Sequence, residues 1–196
     1  MIAIVDYNTG NLRSVINAVH RAGAEYVVTA DRKIIESADR VLLPGVGEAS
    51  SAMANLRATG LDEVIPQLTA PVLGICIGMQ LMCAGSEEGN VRTLGIFPTE
   101  VRRFIADKEA GIKVPHMGWN TITELQTPLF KGLDESAWVY YVHSFAPDLC
   151  DCTIARTEYG KVFSGALSRD NFFGTQFHPE KSGAVGAQII KNFMTL

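Results

Sequence analysis

The stretch PVLGICIGMQLMCAG, Pro71 to Gly85, runs an apolar segment into a cysteine set between two glycines and then into a second apolar segment. PVLGIC reads as a strand buried on both faces, and IGMQLMCAG as a helix that follows it directly. Outward from this stretch the same order recurs. IAIV (2–5) is followed by a Gly/Asn turn and by Leu12, Val15, Ile16 and Val19 at helical spacing, ending near Gly23. EYVVTA (25–30) precedes a short helix carrying Ile34 and Ile35, and RVLLPG (40–45) precedes the Ala-rich EASSAMANLRA (48–58). Repeated β-then-α units with continuous apolar strands predict an α/β fold: an open, mostly parallel central sheet flanked by helices. After Gly95 the rhythm changes to the strand-like runs EVRRF, WVYYVHSF, CTIARTEY, KVFSGAL and NFFGTQF, which predict additional antiparallel strands in the C-terminal half. Ser182 stands as the N-cap of a last helix with Val185, Ile189 and Phe193 on its inner face.

The chain has 196 residues, 47% hydrophobic and 19% charged, enough for one sizeable core, and we expect one domain over 1–196. A formal net charge of -4 offers no basic field for a nucleic-acid backbone. MIAIVDY lacks the basic start of a signal peptide, and no apolar run is long enough to span a bilayer, so a soluble, cytoplasmic protein is expected. Cys76, Cys83, Cys150 and Cys152 show no paired metal-ligand spacing and are expected to be free thiols.

Cys76 falls at the carboxyl end of its strand, the edge of a parallel sheet where ligands bind. Gly74-x-Cys76-x-Gly78 has the layout of a nucleophile elbow, a tight turn that small neighbours permit, and the helix start behind it favours a thiolate. Read alone, the pattern is equally compatible with a buried core cysteine.

Of the four histidines, His20 lies late in the first amphipathic helix, where a structural role is expected. His178 ends the apolar run NFFGTQF and precedes Pro179 and Glu180. If the segment stays extended past the proline, residues 178 and 180 face one side, so that the carboxylate orients the imidazole and the imidazole serves the thiol. HPE by itself also fits a surface turn with an ion pair. Pro44-Gly45-Val46-Gly47 follows the strand RVLL onto the same sheet edge, and its glycines allow a peptide N–H at Val46 to face a developing oxyanion, with the N–H of Ile77 as second donor. An ordinary strand-to-helix turn would use the same glycines.

In this order PGVG (44–47), GICIGMQ (74–80) and FHPEKS (177–182) resemble the motifs of class I glutamine amidotransferases. PHMGWN (115–120) and YYVHSF (140–145) resemble in particular those of the glutaminase subunits of imidazole glycerol phosphate synthases. The resemblance runs from DYNTGN (6–11) to the last helix and implies a flavodoxin-like sheet and hydrolysis of L-glutamine to glutamate and ammonia. It implies a heterodimer with a cyclase subunit of (β/α)8-barrel fold, which takes the ammonia to make imidazole glycerol phosphate and aminoimidazole carboxamide ribotide. By motif it makes Cys76 the nucleophile, His178 the general base and acid, and Glu180 the orienter. Gly47, Gln80 and Glu88 would hold glutamine, the last two on the helix after the elbow and at its end, and His143, Ser144 and Phe145 would bind the substrate's backbone end. No metal or organic cofactor is implied, and the PGVG strand is expected to be inactive until the cyclase binds its own ligand.

Residue type alone makes Trp119 a buried aromatic; the resemblance makes it an interface residue, with Asn11, His116, Asn120, Tyr140 and Lys181 near the ammonia passage. Three rival readings are a glutaminase serving an anthranilate or pyridoxal phosphate synthase, which HMGWN argues against, an intracellular cysteine peptidase on a similar sheet, and a non-catalytic subunit, which the intact Cys76, His178 and Glu180 argue against.

Overall fold

A computed structural model describes residues 1–8 and 12–196. The first half alternates β1 (Ile2–Val5), α1 (Arg13–Arg21), β2 (Tyr26–Thr29), α2 (Arg32–Glu36), β3 (Arg40–Gly45), α3 (Ala49–Thr59), α4 (Leu61–Val64), β4 (Val72–Cys76) and α5 (Ile77–Leu81). The second half adds β5 (Gly85–Ser86), β6 (Val91–Arg92), β7 (Glu100–Arg103), β8 (His116–Ile122), β9 (Ala137–His143), β10 (Phe145–Pro147), β11 (Thr153–Tyr159), β12 (Lys161–Arg169), β13 (Phe172–Thr175) and α6 (Gly183–Phe193).

The apolar strands gather in one seven-stranded sheet of order β11-β12-β13-β4-β3-β1-β2. Strands β13, β4, β3, β1 and β2 are mutually parallel, and β12 and β11 extend the sheet antiparallel. The central strands are buried throughout, which is why they read as unbroken apolar runs. Helices α1 and α6 pack together, while α2 and α3 both pack on α4, and α3 also on α5. The expected open, mostly parallel sheet with antiparallel additions is what forms. No helix among the described residues is long and apolar enough to cross a membrane.

Three sequence expectations change. The helix after Cys76 stops at Leu81 rather than continuing to Gly85, because the Ala84 N–H bonds Thr99 O and Ala84 O accepts from Thr93, drawing the chain toward a four-stranded sheet of order β10-β7-β5-β6. Glu88 therefore lies in the turn between β5 and β6, not at the end of the helix. Residues 116–122, left out of the strand-like runs read from the sequence, form β8, paired antiparallel with β9 in register His116↔His143 and Trp119↔Tyr140. Lastly, Ser182 stands at the α6 N-cap position but caps nothing: its hydroxyl donates to His178 O at 2.7 Å and accepts from Tyr140 N at 2.9 Å.

Candidate active site

Three neighbouring parallel strands deliver their carboxyl ends to one place. Gly45 at the end of β3 pairs with Cys76 at the end of β4, and Thr175 at the end of β13 lies beside Ile75. Cys76 has φ 54° and ψ -109°, a left-handed conformation that costs a non-glycine residue about 1–3 kcal/mol and persists only where the surroundings enforce it. The enforcement is steric. A Cβ on Gly78 would sit 1.7 Å from Leu43 O, so α5 can turn back over β3 only with glycine there. The two glycines of the elbow thus have a packing cause, and Cys76 is held where a core residue has no reason to be.

The segment after β13 brings in the histidine. His178 N donates to Tyr140 O at 2.9 Å, and Ser182 bridges His178 O and Tyr140 N, so strand β9 fixes the main chain on both sides of the imidazole. His178 Nδ1 lies 2.8 Å from Glu180 Oε1, and both side chains are almost wholly buried. The pairing that an extended segment would give is made by another backbone path. His178 itself is extended, but Pro179–Lys181 is a 3-10 turn that swings the carboxylate back under the ring. With Nδ1 committed to Glu180, Nε2 is left for the cavity that His178 and Cys76 line together. Burial presses the imidazole toward its neutral form, but the nearby Cys76 sulfur and the bonded Glu180 carboxylate outweigh it and push its pKa up to about 10. These surroundings favour the protonated ring.

That cavity, about 350 Å3, is also lined by Val46, Gly47, Ile77, Gln80, Glu88, Pro115, His143, Ser144, Phe145 and Lys181. Every residue expected to carry catalysis or hold substrate is thus gathered around it, except Glu180, which stands behind His178. Val46 is exposed between Gly45 and a Gly47 at φ +96°, a left-handed value suited to glycine. The start of the loop is less free than two glycines suggest, because Pro44 O accepts from the buried Tyr7 hydroxyl at 2.9 Å. Glu88 accepts from the Ala49 N–H at 2.9 Å, at the start of α3; burial raises its carboxyl above the usual range, an effect that this bond opposes.

Gln80 differs most from expectation. Its Nε2 donates to Phe145 O at 3.0 Å and to Gln176 Oε1 at 2.9 Å, so its amide nitrogen is already occupied. Gln80 Oε1 is buried and has no partner among the described residues, which leaves it a free acceptor. Gln176, which sequence reasoning passed over as the tail of an apolar strand, is fully buried and donates from Nε2 to Cys76 Sγ at 3.6 Å. Its polar side chain within NFFGTQF was the available signal.

Of the interface residues, Trp119 is 53% exposed and stands edge-on to Tyr140, while Lys181 is exposed beside the cavity. His116 is corrected: it is buried, stacked between Tyr141 and Tyr159, with Nδ1 3.0 Å from His143 Nε2. Asn120 is half-buried on the same inner side, bonded to His116 Nε2 and to Glu158 O, so these two residues support the site from within. Asn11 lies outside the described residues.

The family model for class-I glutamine amidotransferases matches residues 3–196. The chain belongs to that family. A relative from Bacteroides thetaiotaomicron called imidazole glycerol phosphate synthase subunit HisH is 55% identical over 195 residues, covering 100% of this chain and 99% of the relative. One of the same name from Yersinia pseudotuberculosis is 45% identical over 197 residues, again across 100% of this chain and 99% of its own. Among solved structures, a glutamine amidotransferase from Thermotoga maritima superposes with a TM-score of 0.65 over 91% of this chain and 75% of the other, at 18% identity. The sheet is thus shared well beyond the range of sequence likeness.

Proposed function

We propose that this chain is the glutaminase subunit of an imidazole glycerol phosphate synthase, hydrolysing L-glutamine and passing ammonia to a cyclase subunit of (β/α)8-barrel fold. The observation that carries the chemistry is the shared cavity of Cys76 and a His178 whose Nδ1 is held by Glu180. The full-length relatives carry the choice of pathway, and they weigh against a peptidase or a glutaminase of another synthase.

Cys76 thiolate attacks the side-chain amide carbon of glutamine, and the N–H groups of Val46 and Ile77 receive the oxyanion. His178, already protonated, gives its Nε2 proton to the departing ammonia, leaving a glutamyl thioester. Neutral His178 then takes a proton from water, whose attack releases glutamate and restores the Cys76 thiolate beside the protonated His178. Gly47, Gln80, Glu88 and His143 to Phe145 hold the substrate. No step uses a metal or organic cofactor. The outward residues Trp119, Tyr140 and Lys181 face the cyclase, and the reaction runs in the cytoplasm. The exposed Val46 between two glycines supports a loop that the partner switches on.

The test combines the chain with its cyclase partner and follows glutamate release with and without the cyclase ligand. Wild type is expected to be slow alone and fast in the liganded complex; Cys76→Ala should lose glutamine-dependent synthesis while added ammonia still supports the cyclase. A variant that still hydrolyses glutamine would remove Cys76 from the mechanism, and equal turnover with and without partner would remove the switch.

A further inference from the structure

Side-chain amides can be built either way round, and here an acceptor that cannot donate decides the orientation. Phe145 O is a main-chain carbonyl, so the Gln80 atom 3.0 Å from it must be the nitrogen. That nitrogen also lies 2.9 Å from the Gln176 amide, which must therefore present its oxygen to Gln80. The other end of the Gln176 amide, its N–H2, then faces Cys76 Sγ at 3.6 Å. Both glutamines are buried, Gln176 completely. Its main chain is anchored as well, its N–H donating to Gly165 O at 2.9 Å. Phe145 O is itself fixed by His143 Nδ1 at 2.7 Å, so the row of orientations rests on main chain at both ends.

We propose that Gln176 is a positioning residue for the nucleophile: its amide N–H2 donates to the Cys76 sulfur and fixes where that sulfur points, and Gln80 acts by holding the Gln176 amide the right way round. The inference rests on the reading of Cys76 as nucleophile. A donor aimed at sulfur bonds a thiolate more strongly than a thiol, since the bond becomes charge-assisted. Gln176 thereby favours the attacking form and opposes rotation of the side chain away from the substrate. Gln80 has a double duty, its nitrogen serving Gln176 and its oxygen remaining for the ligand.

The test uses the full chain in complex with the cyclase. The rate of alkylation by iodoacetamide is measured against pH, with the Cys76 peptide read by mass spectrometry so that Cys83, Cys150 and Cys152 are counted apart. Gln176→Glu keeps the shape and the acceptor for Gln80 but removes the donor to sulfur. Its alkylation midpoint should move up by about one pH unit, and kcat should fall with KM little changed. Gln80→Leu, which leaves Gln176 intact but free to turn, should move the midpoint in the same direction while raising KM, and the double variant should shift no further than Gln176→Glu alone. A Gln176→Glu profile that overlays wild type overturns the proposal; if that variant does not fold, an unmoved Gln80→Leu profile overturns it equally. Cys76→Ala separates the two readings. If it still releases glutamate, the nucleophile assignment fails; if it is inactive while the glutamine variants are unmoved, only the role of Gln176 fails.

Discussion

Two pairs of buried histidine contacts stand within the same domain and differ in charge. His178 meets Glu180 at 2.8 Å and is pushed up to about 10, whereas His143 meets His116 at 3.0 Å and the two are pushed down to about 3 and about 4. Burial presses all three toward neutrality and is the largest influence on each. What differs is the company. His178 has a carboxylate on one side and the Cys76 sulfur on the other. The second pair bonds each ring to neutral partners, Phe145 O accepting from His143 Nδ1 and the stacked Tyr141 and Tyr159 rings enclosing His116, and the charge of His178 presses His143 lower still. The first pair favours a proton on its ring; the second fixes a tautomer.

The largest break in this comparison should come from Glu180→Gln, which gives His178 a neutral neighbour like those of His143. Glutamate release in the liganded complex should fall by a factor on the order of 10^4, as for a lost orienting carboxylate in other triads, and the His178 resonance should titrate at lower pH. The reverse exchange is smaller. Asn120→Asp sets a carboxylate 3.3 Å from His116 Nε2, in the place of the amide nitrogen, and should raise the His116 pKa by about 1–3 units in an NMR titration.

The smallest effect is on stability against pH, and the two pairs give it opposite signs. Because the folded His116 and His143 resist protonation, unfolding takes up protons below about 6.5, and stability should fall as pH drops from there toward about 4 and 3. His178 has a raised folded pKa, so its contribution is complete below about 6.5 and is lost as pH rises through about 10. Urea denaturation across pH should show both limbs, with His116→Gln flattening only the acid one.

The parallel half and the elbow were legible in the sequence because burial on both faces leaves unbroken apolar runs, and because Gly74 and Gly78 mark a turn where main chain meets main chain. Strand β8 was not. Its inward residues are His116, Gly118 and Asn120, while Met117 and Trp119 point out, so the usual alternation is inverted and hydrophobicity gives the wrong face. Glu88 was misplaced because the pull of Thr93 and Thr99 that ends α5 is long-range and leaves no local mark. His178 and Glu180 were paired correctly through an incorrect backbone, since contact between residues two apart survives both an extended segment and a 3-10 turn. Gln176 was hidden because a buried amide is explained only by its partners, and these lie 100 and 96 residues away in the chain.

The closeness of Gly78 to Leu43 O has a consequence for how this protein can change over time. The height of the thiol above the sheet is gauged by backbone against backbone, with no side chain in between. Drift among the surrounding Leu, Ile, Val and Met residues can rewrite the core without moving that gauge, whereas any replacement at this one position removes it at a stroke.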